Sequence, residues 1–152
     1  MLKYCIEKWD KYNGNLRKAI ENDKEINSCD YRHLVELVTD KILNGDEKDQ
    51  ITWDSNRITE IDDGDYQGTL LYVIPQYKYQ PCEYEYLMTY VSYGSCSYCD
   101  TLQSIQDFRS NEVSKEQIDG FMRLCKDLLT AMICPYNFGW RVDERFIHVQ
   151  TE

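Results

Sequence analysis

Two cysteines spaced C-x-x-C, Cys96 and Cys99, stand inside "YVSYGSCSYCDTLQSI", residues 90–105, and Asp100 follows at once. Three chemistries suit thiols at that spacing. Close thiols next to a helix N-terminus exchange disulfides, because the helix end favours a thiolate. Two thiolates also supply half of a tetrahedral zinc site. Small thiols otherwise pack as hydrophobes in a strand-to-helix turn. Asp100 and Gln103 form a capping-box pattern, so a helix is expected from Thr101 with both cysteines in the loop before it. An acid directly after Cys99 disfavours a second negative charge. The preceding hairpin also differs from the strand-and-helix run of a parallel sheet that dithiol oxidoreductases use. Zinc would need further ligands, for which Cys82, Cys134 and His148 are candidates, but none makes a second close pair. A turn with small buried thiols and no cofactor is the favoured reading, and a small zinc-binding or thiol-redox protein centred on Cys96 and Cys99 is the alternative.

The second constellation is acidic: Glu60, Asp62, Asp63 and Asp65 in "RITEIDDGDYQGTLLYVIP". A calcium loop needs oxygen ligands at every second position and a closing Glu, and this stretch has neither. A nuclease centre would want a lysine near paired carboxylates, and this hairpin has none. The cluster reads as a solvated turn or as a protein-binding surface. In the second case Glu60, Asp62, Asp63, Asp65, Tyr66, Glu83 and Glu85 are the partner-binding candidates, since acids beside exposed tyrosines offer ion pairs to Arg and Lys and rings to stack on. His33 and His148 are far apart and read as packing or surface residues. No G-x-S-x-G, Walker loop or H-E-x-x-H occurs, so no catalytic residue is assigned and an enzyme is not favoured.

Charge points the same way. Residues 46–66 hold Lys48 and Arg57 against Asp46, Glu47, Asp49, Asp54, Glu60, Asp62, Asp63 and Asp65, so 6 of the 10 net negative charges fall there. Such a surface repels nucleic acid and steers basic proteins toward it. No run approaches the ~18 apolar residues of a membrane-spanning helix. The start, "MLKYCIEKWDKYNG", is too polar for a secretory leader. Seven scattered cysteines read as thiols of a reducing cytosol, so a cytoplasmic protein is expected.

A single α+β domain over residues 1–152 must position these groups, with a helical part at 1–45 and a sheet with its covering helices at 50–152. A first helical segment is expected to end near "YNGN". Ser28 then caps a helix with the stripe Leu34, Val35, Val38 and Ile42, closed by "NGD". Asp and Gly around Gly64, tolerant of positive φ, predict an antiparallel hairpin. The alternation in "PCEYEYLMTYVSYG" sets Glu83, Glu85, Leu87, Thr89, Val91 and Tyr93 on one face of a strand. Bulky groups on both faces predict a central position for it, with Pro75 and Pro81 bracketing the connection before it. "SKEQ" at Ser114–Gln117 is a capping box opening a helix whose stripe is Ile118, Phe121, Met122, Cys125, Leu129 and Met132, stopped by Pro135. "NFGWRVDERFIHVQ" offers a last strand. The fold class is a small antiparallel sheet packed on one face by several helices.

Over about residues 50–136, "IDDGDYQGTLLYVIP", "EYEYLMTYVSYGSCSYCDTLQSIQ" and "FMRLCKDLLTAM" together resemble uncharacterised small proteins of phages, prophages and gut-bacterial mobile elements. The most specific part is Y-G-S-C-S-x-C-D-T-L, with Tyr98 at the variable position. No established activity of that group can be carried over. The resemblance implies the cytoplasm of a bacterial host, where small acidic phage proteins act as inhibitors of host defence, anti-CRISPR proteins among them. The resulting expectation is a non-enzymatic acidic binding protein that engages a basic, nucleic-acid-binding protein surface. A nucleic-acid-guided nuclease is the most concrete partner, and neither direct nucleic-acid nor membrane binding is expected.

Overall fold

Cys5, Trp9, Leu16 and Ile20 recur at helical spacing, and in the computed structural model, which describes residues 1–135, all four are buried on one helix, α1 (Leu2–Glu21). This helix does not end near Asn13–Asn15. It continues because the next turns bury Leu16 and Ile20 on the stripe already begun. Gly14 inside it meets nothing within 4 Å at the position of a Cβ. Gly14→Ala is therefore expected to add ~0.5–1 kcal/mol of stability, read as a higher urea midpoint at unchanged slope.

The second helix, α2 (Tyr31–Val38), is capped by Asp30, not by Ser28. The Asp30 backbone is extended and its carboxylate accepts the His33 N–H at 3.0 Å. Ser28 instead donates its hydroxyl back to the Glu25 carbonyl within the preceding turn. Leu34, Val35, Val38 and Ile42 are all fully buried, as their spacing predicts. A π turn, Thr39–Leu43, ends the segment: the Thr39 hydroxyl donates to the Val35 carbonyl at 2.8 Å, and Asn44 N–H reaches back to the Thr39 carbonyl at 2.9 Å. The Asn44 side chain then pairs with both backbone groups of Trp53, at 2.7 and 2.8 Å, tying this corner to the chain that enters the sheet.

The sheet has three antiparallel strands, β1 (Thr59–Asp62), β2 (Gly68–Pro75) and β3 (Tyr86–Tyr93), in the order β1-β2-β3. The hairpin forms where the acidic turn predicts it, although glycine is needed there for a different reason. A Cβ on Gly64 would lie 2.0 Å from the Gln67 carbonyl oxygen, so close approach and not positive φ selects it. β2, not β3, is central. β3 is an edge strand whose outer side is partly closed by Ile133, which exchanges both backbone hydrogen bonds with Met88 at 2.8 and 2.9 Å. Its second bulky row, Tyr86, Met88 and Tyr90, faces away from the helices, and Tyr90 is 56% exposed. Glu83–Glu85 curls into a 3-10 turn ahead of the strand, so the alternation begins at Tyr86.

Helices cover the other face, where Tyr72, Ile74, Leu87 and Thr89 are fully buried. A short helix, α3 (Thr101–Ile105), precedes the long α4 (Lys115–Thr130), whose Ser114–Gln117 capping box is made in both directions. The α4 stripe is buried as predicted and adds Leu124 and Leu128, because α4 packs between α1 and β3 and needs two apolar flanks. Thr89 on β3 donates to the Leu128 carbonyl at 2.6 Å, fixing helix to sheet. Burying each large apolar side chain in this core contributes roughly 1.5–3 kcal/mol. Among the described residues no helix is long and apolar enough to cross a membrane. The strand expected in "NFGWRVDERFIHVQ" and His148 lie outside the described residues.

Candidate functional site

Asp100 organises the corner after β3. Its carboxylate is buried and accepts three hydrogen bonds, from Gly94 N–H at 2.9 Å, Gln103 N–H at 2.9 Å and the Tyr31 hydroxyl at 3.1 Å. The Tyr31 oxygen in turn accepts Leu102 N–H at 3.1 Å. One side chain thus caps α3, closes the loop on Gly94 and docks both on the start of α2. The box is only half reciprocal, since the Gln103 amide donates to the Gly94 carbonyl. A Cβ on Gly94 would meet the Cys99 carbonyl oxygen at 2.5 Å, so glycine lets the loop fold this tightly.

Cys96 and Cys99 lie on this corner, but they are exposed and not buried as the turn reading supposed. Their sulfurs are 3.2 Å apart. The expected penalty from Asp100 is also overturned. Its carboxylate is turned inward onto three donors, and Cys99 is held below the usual thiol range, chiefly by the hydrogen bond from the Cys96 thiol. Cys82 precedes the 3-10 turn at the start of β3, and the Cys134 sulfur donates to the Tyr84 carbonyl at that same end. The eight residues of β3, a span of about 23 Å at ~3.3 Å per residue, lie between Cys82 and the pair. Among the described residues no group of three His, Cys, Asp or Glu is placed to hold a metal ion.

Between the helix-covered face and the α2–α3 corner lies a cleft of about 410 Å³, with Asp30, Glu60, Asp62, Tyr72, Tyr93 and Phe108 among its walls. The hairpin register explains the gathering. Glu60 pairs with Tyr72, Asp62 with Leu70 and Gly68 with Tyr93, which brings all of these to one face. Asp62 accepts the Tyr93 hydroxyl at 2.6 Å and Gly64 N–H at 3.0 Å. The same bond to Tyr93 holds the Asp62 carboxyl below its ordinary range, and it pushes the Tyr93 phenol up to about 12. Tyr72 is fully buried, and among the described residues its hydroxyl makes no hydrogen bond of good geometry. Burial, then the nearby Glu60, raises its pKa and keeps it protonated. Glu60 is the acceptor this hydroxyl faces, short of full hydrogen-bond geometry. Arg32 also stands near Tyr72, its guanidinium donating to the Ile58 carbonyl at 2.9 Å.

The Asp62–Tyr93 pair has a pH signature with two edges. A depressed carboxyl stabilises the fold above its unfolded pKa and that contribution is lost as pH falls through the folded value. A raised phenol stabilises below about 10 and the contribution is lost as pH rises through about 12. Asp62→Asn is expected to return Tyr93 toward the ordinary value of ~10, measured as an earlier phenolate absorbance rise in alkaline titration. An unchanged titration curve would contradict the pairing.

The predicted acids fall into two groups. Glu60, Asp62, Asp63, Asp65 and Tyr66 meet at the hairpin end, with Tyr66 83% exposed. Asp63 is partly committed there, accepting Thr69 N–H at 2.6 Å. Glu83 and Glu85 lie at the opposite end of β3, and Glu85 is engaged by the Lys78 ammonium and by Cys82 N–H. None of the ion pairs among the described residues involves Asp30, Glu60, Asp62, Asp63 or Asp65. Asp100 caps α3 as its spacing to Gln103 predicts, though sequence reasoning missed its bonds to Gly94 and Tyr31, and missed Asp30, Tyr72 and Tyr93 as wall residues. Carrying the hairpin register through would have found Tyr72 and Tyr93.

Comparison with protein-family models, curated proteins and solved structures finds no match for this chain.

Proposed function

We infer that this chain is a non-enzymatic binding protein whose hairpin end and cleft receive basic side chains of another protein. One observation carries the reading: Asp30, Glu60 and Asp62, which form no ion pair among the described residues, line one cleft with the buried Tyr72, and Asp63 and Asp65 follow Asp62 on the adjoining hairpin turn. A guanidinium matches this site well. It presents planar N–H donors to Glu60 and Asp62, and it stacks on aromatic faces such as Tyr66 and Phe108. Carboxylates and protonated phenols are groups of recognition, and the same charge that draws a basic protein repels a phosphate backbone.

The partner class proposed is a basic protein surface that itself binds nucleic acid, in the manner of an inhibitor of host defence borne by a phage or mobile element. The acidic face would occupy the positively charged channel of a nucleic-acid-guided nuclease in a bacterial cytoplasm. Co-purification tests this with such nucleases, each prepared empty and loaded with its guide and target. The expected result is a complex with the empty form of at least one of them, and loss of that complex on loading. Equal capture of both forms, or of neither, would overturn the channel reading.

A further inference from the structure

We propose that Cys96 and Cys99 form a surface dithiol that exchanges with small disulfides, Cys99 attacking first and Cys96 resolving, so that the corner closes into an intramolecular disulfide and reopens on reduction. The geometry carries this. Cys99 N–H donates to the Cys96 carbonyl at 3.0 Å, a tight turn that brings the two Cα atoms within ~7 Å. That overlaps the separation a disulfide spans, ~4.4–6.8 Å. The sulfurs, already 3.2 Å apart, need to approach by roughly 1.2 Å to reach bonding distance. Both ends of the loop are held, since the Asp100 carboxylate takes Gly94 N–H on one side and Gln103 N–H on the other. The pair is therefore presented on a fixed frame in open solvent.

The other cysteines are differently placed. Cys5, Cys125 and Cys134 are buried, Cys29 is half-buried, and Cys82 lies at the far end of β3. Burial raises Cys5 and Cys29 to about 12, whereas hydrogen bonds lower Cys99, the one from Cys96 first among them. The Cys99 sulfur also stands between two hydroxyl or thiol groups able to donate to it, Cys96 Sγ at 3.2 Å and Ser95 Oγ at 3.9 Å, so a thiolate at Cys99 is the more available nucleophile of the pair.

The exchange balances without any further reactant. The Cys99 thiolate attacks one sulfur of a low-molecular-weight disulfide, forming a mixed disulfide and expelling one thiolate. The Cys96 thiol loses its proton to solvent, and its sulfur attacks Cys99, expelling the second thiolate. Two electrons pass from the protein to the small disulfide, which becomes two thiols, and an excess of thiol drives the steps backwards.

Oxidised glutathione is the probe for the test, with the full chain and its Cys96→Ser and Cys99→Ser variants, each checked for native circular dichroism. The expected wild-type product lacks two hydrogens, is resistant to alkylation at residues 96 and 99 alone, and is restored by reduced glutathione. Cys96→Ser should stop as a glutathione adduct on Cys99, formed several-fold faster than the adduct on Cys96 in Cys99→Ser. A wild type whose two thiols stay alkylatable would overturn the dithiol. An adduct on Cys96 formed as fast as the one on Cys99 would overturn the order of attack.

Discussion

Replacing Asp100 by alanine is expected to lower the unfolding free energy by about 4 kcal/mol. Loss of the α3 cap accounts for ~1 kcal/mol of this. The rest comes from Gly94 N–H and the Tyr31 hydroxyl, which lose a charged acceptor at ~1.5–3 kcal/mol each. Both donors sit where water does not easily replace it, since Gly94 and Tyr31 are buried. Asp100→Asn keeps one acceptor oxygen but turns an amide N–H₂ toward a donor, so it should recover only about half of the loss. Urea unfolding of the two variants measures both values. A loss below ~1 kcal/mol for Asp100→Ala would mean that the corner is held by packing alone and that Asp100 is no more than a surface cap.

Neutralising Glu60 and Asp65 together, as Glu60→Gln with Asp65→Asn, should weaken binding to a basic partner by about 2 kcal/mol, roughly thirtyfold in Kd. These two are chosen because neither caps a turn nor holds a backbone N–H among the described residues, and the side-chain group that Glu60 faces is the Tyr72 phenol. Asp62 and Asp63 are poorer probes, since they also hold Tyr93, Gly64 and Thr69 at the hairpin end. Changing them would mix lost affinity with a loosened turn. Tyr72→Phe separates the remaining contribution. Removing a buried hydroxyl that makes no well-formed hydrogen bond among the described residues should leave stability unchanged or slightly raised, while a ligand that hydrogen-bonds it in the cleft would bind less tightly. Unaltered binding by all three substitutions would place the interface elsewhere on the surface.

Periodicity made much of the fold legible. The α4 stripe, the Ser114 box, the α2 stripe and the hairpin all lie where three- and four-residue or two-residue spacing puts them, because each rests on local geometry. What spacing does not encode is which neighbour an element finds. Alternating bulk made β3 look central, yet an edge strand with a broad tyrosine row gives the same pattern. The continuation of α1 past Gly14 is set by burial of Leu16 and Ile20 against the rest of the core, which overrides a weak helix former. In the site, the acidic residues were visible as composition, and their division into a hairpin-end group and a distant Glu83–Glu85 pair was not. That division follows from the eight-residue ladder between Gly68–Tyr93 and Pro75–Tyr86. The orientation of Asp100 was equally hidden, because its most distant partner, Tyr31, lies 69 residues away in sequence.

The stretch 90–105 thus holds two neighbouring features on one frame: a carboxylate turned inward that fixes the wall of an acidic cleft, and a pair of thiols turned outward. The cleft is the basis of the proposed activity, and ionic strength probes it most directly. Titration of the wild-type chain and of the Glu60→Gln/Asp65→Asn variant against an empty nucleic-acid-guided nuclease, at low and at high salt, is the deciding measurement. The account predicts wild-type affinity that falls with salt and a shallower dependence for the variant, the two curves converging as screening removes the contribution of the carboxylates. Affinity indifferent to salt and identical for both proteins would contradict it.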